Sequence, residues 1–223
     1  FPIHRSITGN GNRETFKILK ELVNSLNIIS VKSGEEIFDW NVPPEWTVDE
    51  AYVENNKGKR IIDIKNNNLH LVSYSDNFEG YCTSSELKDH LYTLPSKPDW
   101  IPYRTSYYKN TWGFCAKHSL LDSDDFTEPF KVVIKTNKDI KGSLEYAEAF
   151  KKGKSNKEII LSTYCCHPSM ANDNLSGLIV ACFLFRYISK FNTRFSYRLV
   201  IAPETIGTIC FLKNANLKDI IGG

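Results

Sequence analysis

The sequence predicts an α/β fold with a mostly parallel central sheet flanked by helices, and a smaller, mainly β module inserted into it. Three observations carry this expectation. The run EIILSTY (158–164) is apolar along its length and suits a central strand. The stretch SGLIVACFLFRYISKF (176–191) is too long for a strand and reads as a mostly buried helix, and YRLVIA (197–202) reads as a second buried strand. Strand, helix and strand in that order imply a right-handed crossover between parallel neighbours. From about 33 to 128 the pattern changes to short strand-like runs between turn residues, and all four Trp fall there. Residues 1–32 and 129–223 are therefore assigned to one α/β domain, and 33–128 to the inserted module.

The elements follow in order. Residues 1–12, FPIHRSITGNGN, read as a loop. Phe16, Leu19, Leu22, Val23 and Leu26 recur at helical spacing with Asn12 as N-cap, and LNIISV (26–31) follows as a strand. In the module, EIFDW, WTVDEAYV, RIIDI and LHLVSYS are separated by turns such as Pro43-Pro44 and Asn66-Asn67-Asn68. A short helix at 84–92 opens on a capping box of Thr83 and Glu86, with Pro95 beyond its end. FKVVIKT and SLEYAEAF then read as a pair of strands, and TICFLKNAN, after the second parallel strand, as a helix.

Composition narrows the function. The 223 residues suffice for one good core, or one core and a small module. A net charge of +2 gives no reason to expect nucleic acid or an anionic membrane as partner, and no apolar run reaches the length of a membrane span. Six Cys occur without a C-x-x-C pair, and Cys182 and Cys210 lie inside apolar runs, which points to reduced thiols and a cytoplasmic setting. The single Met is Met170, so Phe1 is not a translation start, and the chain is expected to be part of a longer protein. A homo-oligomer is compatible with the sequence.

Polar loops at the C-terminal ends of parallel strands are where open α/β sheets place their sites. The loop after EIILSTY carries His167 and Asp173 in HPSMANDNLSG, and the loop after YRLVIA carries Glu204 in PETIG. Imidazole and carboxylates converging on one sheet edge form the ligand set of a borderline cation such as zinc. Each residue also has a plain reading: Asp173 as a helix cap, His167 as a hydrogen-bonded loop residue, Glu204 as a solvated turn.

DNLSG (173–177) resembles the Asp-Asn-x-Ser-Gly signature of zinc exopeptidases of the co-catalytic aminopeptidase and glutamate carboxypeptidase type. More closely, the runs FPIHRSITGNGNRET, FDWNVPPEW, HLYTLPSKPDWIPYRTSYYKNTWGFC, STYCCHPSMANDNLSG and PETIG resemble a bacterial group of aminopeptidase-like proteins, often encoded near surface-polysaccharide genes. The resemblance implies a zinc-exopeptidase-like domain with an inserted β module, and one or two zinc ions. It implies His167 as a first metal ligand, Asp173 as the bridging carboxylate and Glu204 as the general base for a metal-activated water. Asn174 and Ser176 would hold the loop, and Gly177 would let the helix start pack closely. Two positions depart from the pattern. Thr205 stands where the family has its second Glu, and Ser169 where it has the carboxylate that orients the imidazole. The remaining ligands, an Asp and a later His, would fall after Gly223, since His4, His70, His90 and His118 do not lie where the fold needs them.

Several weaker features bear on substrate. Arg5 could read a substrate carboxylate or belong to a capped turn. Tyr107 and Tyr108, with Trp112, could grip a side chain or sugar ring, or serve the module's own core. Cys165-Cys166 before His167 could imitate a nucleophile pair, although adjacent strand residues face opposite ways and one must be buried. Glu145 and Glu148 read as solvated strand residues. The leading expectation is a zinc-dependent aminopeptidase acting on a small peptide or aminoacyl substrate. The alternatives are a non-catalytic binding or scaffold module on a decayed peptidase fold, and an amidase acting on an aminoacyl or acyl-amino sugar.

Overall fold

A computed structural model describes residues 1–107 and 109–223. Helix α1 (Asn10–Leu22) leads into strand β1 (Asn27–Lys32) and a small hairpin of β2 (Glu36–Ile37) and β3 (Trp40–Asn41). Then come β4 (Glu45–Glu54), β5 (Arg60–Asp63), β6 (Phe78–Cys82), α2 (Ser84–Asp89), β7 (Leu91–Tyr92), β8 (Phe114–Cys115) and β9 (Phe130–Asp139). The chain continues through β10 (Ser143–Lys151), β11 (Glu158–Tyr164), α3 (Ser176–Ile188), β12 (Ser196–Ala202), α4 (Ile206–Asn214) and β13 (Ile220–Gly222). Two compact units result. Ile3–Glu45 and Asp139–Gly223, with Phe1, form the first, and Trp46–Lys138, with Pro2, the second.

The first unit is built on a five-stranded sheet in the order β1-β10-β12-β11-β13. It corrects the expectation of a mostly parallel sheet. β1 with β10 and β10 with β12 run antiparallel, whereas β12 with β11 and β11 with β13 run parallel. Only the crossover through α3 and the passage through α4 enforce parallel neighbours, and nothing obliges the first half of the sheet to follow them. β9 and β10, expected as a pair, go to different sheets: β9 pairs with β6 in the second unit, and β10 lies between β1 and β12. The second unit accordingly runs to Lys138 and starts at Trp46, where the sequence marks 128 and 33. The segment after 33 stays with the first unit: Ile37 and Val42 are buried, and Lys213 of α4 donates to the Glu36 carbonyl at 2.8 Å and to Glu35 at 3.1 Å.

One face of the sheet is closed by α1 and α3. Phe16 and Leu19 of α1, with Val23 and Leu26, meet Ala147, Ala149, Leu199 and Ile201 of the strands and Leu178, Cys182 and Phe185 of α3. Strand alternation sends Tyr146 to the opposite face, where its ring meets Phe211 of α4 edge to face at 6.3 Å. α3 is apolar on all sides, but only its 178–182–185 stripe is buried, while Val180, Phe183 and Tyr187 remain exposed. Asn12, expected as an N-cap, lies inside α1 and is fully buried, and its amide donates to the Ser6 carbonyl, fastening the preceding loop to the helix. In the second unit Thr83 and Glu86 do form the reciprocal capping box at the start of α2.

Glu145 and Glu148 are not free in solvent. Glu145 is buried and accepts from Ser143 at 2.6 Å and from Arg13 at 3.2 Å, while Arg13 also grips Glu45. Arg198 bridges Glu148 at 2.9 Å and Glu158 at 2.6 Å across neighbouring strands. All six cysteines are free and buried. Among the described residues no helix is long and apolar enough to cross a membrane.

Leu199 is fully buried in the central strand, in contact with both helices' apolar stripe. Leu199→Ala is expected to lower stability by about 2–5 kcal/mol in chemical denaturation, through lost transfer energy and a residual cavity. Ile140→Ala, at a side chain 73 % exposed, should change it by no more than about 0.5 kcal/mol.

Candidate metal centre

The site is assembled by the parallel pairing of β11 and β12, which runs in register from Glu158↔Ser196 to Tyr164↔Ala202. The pairing extends one step further, as the Cys165 amide donates to the Ala202 carbonyl at 3.0 Å. Both chains therefore leave the sheet side by side, one as 165–175 and the other as 203–205. Cys165 turns into the core against α1 and α3. Cys166, one residue on, faces the other loop, and its sulfur accepts from the Glu204 amide at 3.3 Å.

His167 and Glu204 are brought together: imidazole Nε2 stands 3.6 Å from Glu204 Oε2. The imidazole is almost wholly buried while the Glu204 side chain is 55 % exposed. On the other edge of the ring, Nδ1 lies 3.3 Å from Cys166 Sγ. One donor atom from each of Cys166, His167 and Glu204 falls within 4.8 Å of the others. Sulfur, imidazole nitrogen and carboxylate oxygen form a donor set suited to zinc.

Asp173 is not one of this compact trio. It accepts a short hydrogen bond from the Tyr164 hydroxyl, and the Tyr164 ring packs edge-on against the His167 imidazole with centroids 5.5 Å apart. The bond to Asp173, then burial and the neighbouring negative charges, push the Tyr164 hydroxyl up to about 12. The backbone at Asp173 and Asn174 is irregular, with a cis peptide bond between them. Asn174 fixes this turn by donating to Thr163 Oγ1 at 2.9 Å and to the Tyr164 carbonyl at 3.4 Å. Gly177 is required by the same residue, since a Cβ there would stand 2.1 Å from Asn174 Oδ1. The close approach is thus between the helix start and the Asn174 side chain.

The second loop is equally constrained. Thr205, between Glu204 and α4, has φ +60° and ψ −68°, a strained conformation for a β-branched residue. A side chain at Gly207 would meet Pro203 Cδ at 2.4 Å, so the turn closes tightly on itself. In the first loop Ser169, at φ +42°, also occupies the left-handed region.

Arg5, for which the sequence allows a substrate carboxylate or a capped turn as partner, takes an internal position. It is buried, and its Nε donates to the His167 carbonyl at 3.0 Å while Nη1 reaches Thr15 at 3.4 Å. Tyr107 belongs to the second unit's own aromatic set. It meets Tyr74 edge-on at 5.4 Å, and Tyr74 stacks on Trp46 at 5.5 Å. With Val72, Tyr92, Arg104 and Lys109 it lines a cavity of about 530 Å³ in that unit. Trp112 is sandwiched between Phe78 and His90. Tyr108 lies outside the described residues. Burial pushes the thiols of Cys165 and Cys166 up to about 12, so neither is poised as a nucleophile at neutral pH.

Tyr164 offers a direct probe of the Asp173 contact. With its pKa raised from 10.0 to about 12, the native protein keeps a proton between those values that the unfolded chain releases. This contribution to stability is complete below pH 10 and is lost as the pH rises through 12. Ultraviolet difference titration should find Tyr164 ionising late, and Asp173→Asn should move it back toward 10. An unchanged titration in that variant would show that the contact is absent.

Comparison with known proteins agrees with this architecture. A protein of Clostridium acetobutylicum, provisionally named a polysaccharide biosynthesis protein with aminopeptidase-like domain, is 49 % identical over 99 % of this chain and 50 % of its own length. A crystal structure of a protein from that organism, provisionally named a peptidase, superposes with a TM-score of 0.95 at 47 % identity, over 100 % of this chain and 53 % of the other. The chain thus spans about half the length of these relatives. A zinc aminopeptidase of Bacillus subtilis shares the fold at a TM-score of 0.55 and 11 % identity, over 97 % of this chain and 62 % of that one. The mixed α/β fold of the chain is similar to that of zinc aminopeptidase structures. The whole sequence, residues 1–223, matches the family described as "Domain of unknown function (DUF4910)", and the chain belongs to that family.

Proposed function

We propose that this chain contributes the core of a metal-dependent amide hydrolase site, of the aminopeptidase type, with zinc as the metal. The observation that carries the reading is the approach of His167 Nε2 to Glu204 Oε2 at 3.6 Å, at the C-terminal ends of two parallel strands. His167 and Asp173 would hold the metal. When bound, the metal would lower the pKa of a water molecule and polarise the scissile carbonyl.

The remaining work falls to the chain's own groups. Glu204 acts as general base: its carboxylate is half-exposed, so solvent and substrate reach it, and it stands beside the nitrogen that would bear the metal. Tyr164 fixes the Asp173 carboxylate through its hydroxyl. Arg5 fixes the main chain of His167 through its carbonyl. The substrate is a small peptide or an aminoacyl compound. The name of the Clostridium acetobutylicum relative joins polysaccharide biosynthesis to an aminopeptidase-like domain, which favours an amide on an amino sugar as a second substrate class.

A non-catalytic scaffold is the reading that Thr205 and Ser169 support, since each replaces a carboxylate of the peptidase pattern. Substitution at Glu204 separates it from the enzyme. In the full-length protein, Glu204→Gln should leave zinc content near wild type while turnover of amino-acid amides falls by about 10²–10⁴, the contribution of a positioned proton acceptor. Asp173→Asn should lose zinc and activity together, because a neutral amide is a poor ligand for the cation. Metal analysis and rates on the same preparations check both. A wild-type protein that binds no divalent metal and cleaves no amide in a broad panel would leave the scaffold.

A further inference from the structure

Resting on the metal-site reading above, we infer that Cys166 is the positioning residue of that site: its sulfur accepts a hydrogen bond from Nδ1–H of His167 and so sets the tautomer that leaves Nε2 to bind the metal. A metal-bound imidazole ordinarily donates its second N–H to a carboxylate or carbonyl, which fixes the ring plane and the tautomer. Ser169 occupies the sequence position where a carboxylate would do this and brings no charge. The structure supplies a substitute from the residue before the histidine.

The geometry divides the ring's two edges between two partners. Sγ is 3.3 Å from Nδ1, and Glu204 Oε2 is 3.6 Å from Nε2. The two nitrogens of one imidazole point in diverging directions, so a cation held at Nε2, beside Glu204, would sit at the far edge of the ring from the sulfur. Sγ is held from a second side by the Glu204 amide at 3.3 Å. One buried atom thereby ties together the loop after β11 and the loop after β12. Cys166 is 2 % exposed, and its neighbour Cys165 belongs to the core cluster, so the alternation of the strand end alone aims this thiol at the ring. Sulfur is a weak acceptor, but burial of both the thiol and the imidazole strengthens the contact between them.

A positioning role and a ligand role for Cys166 differ in what a bound cation reports. The full-length protein loaded with Co²⁺ is the probe. A thiolate ligand gives an intense sulfur-to-cobalt charge-transfer band in the near ultraviolet, and a hydrogen-bonding thiol gives none. We expect Co²⁺ to bind without that band. Cys166→Ala should weaken Co²⁺ and Zn²⁺ binding by about 10–100-fold, the usual effect of removing an imidazole's outer partner. Cys166→Ser retains an acceptor and should restore affinity to within a few-fold of wild type. Nitrogen-15 spectra of the metal-free protein should show the His167 proton on Nδ1 in wild type and Cys166→Ser, and a tautomer mixture in Cys166→Ala. A charge-transfer band that disappears in Cys166→Ser would make Cys166 a ligand and overturn the inference. Equal affinity and tautomer in wild type and Cys166→Ala would overturn it while leaving the metal site standing. No Co²⁺ binding by wild type would overturn the metal-site reading and this inference with it.

Discussion

The register of β11 against β12 is the constraint on which the site depends. Tyr164 lies opposite Ala202, and the Cys165 amide extends the pairing by donating to the Ala202 carbonyl. Because the strands are parallel, both chains must leave at the same edge, and the crossover helix carries the connection away behind the sheet. Cys166 and His167 from one loop and Glu204 from the other then come together, although 37 residues separate His167 from Glu204 in sequence. Shifting the register by one residue would exchange the faces of every side chain on one strand, sending Cys165 toward the site and Cys166 into the core. The alternation that packs the core thus also selects which of two adjacent thiols meets the imidazole.

The antiparallel half of the sheet has a different task. β1 and β10 lead no loop into the site. β10 carries charge that is held in place: Glu145 pairs with Arg13 of α1, which also grips Glu45, and Glu148 pairs with Arg198 of β12, which also bridges to Glu158 of β11. Glu145 is deep enough that burial raises its carboxyl above the ordinary range despite the arginine. Such a group costs stability if either partner is removed, so the network fixes how α1 lies on the sheet. That placement matters to the site, because the loop before α1 delivers Arg5 to the His167 carbonyl.

The parts of this arrangement that sequence makes legible are those with a period or a spacing. The apolar runs of β11 and β12 and the long stretch between them specify a parallel crossover, and that alone places His167 and Glu204 at one edge. Thr83 and Glu86 announce a helix start because the capping box has a fixed offset. Sheet order is less legible: FKVVIKT and SLEYAEAF look alike as strands, and only long-range pairing sends β9 to β6 and β10 to β12. The position of Arg5 is not legible, because burial is not a local property and its partner lies 162 residues away. Cys166 was half legible. Alternation says that two adjacent cysteines face opposite ways, but not which of them meets an imidazole. Tyr164 carried no signal, since a tyrosine at the end of an apolar run is ordinary packing.

The two loops also show why the site is rigid without being regular. Thr205 and Ser169 both sit at positive φ, where a side chain other than glycine is held at a cost of about 1–3 kcal/mol each. Such conformations persist only when the surroundings leave no alternative. Around Ser169, the surroundings are Arg5 on the His167 carbonyl and Asn174 on Thr163 and Tyr164. Around Thr205, they are Pro203 pressed against Gly207 and the Glu204 amide bonded to Cys166. Each support is made by an atom whose hydrogen bond or contact lies inside the first unit, so the turns do not depend on solvent to hold them. Glu204 is the exception that the arrangement leaves room for: its main chain is fixed at the amide, and its carboxylate extends into solvent. A backbone held firmly beneath an accessible carboxylate suits the proton acceptor proposed for Glu204, because such a group must stay aimed at one place while exchanging protons with water.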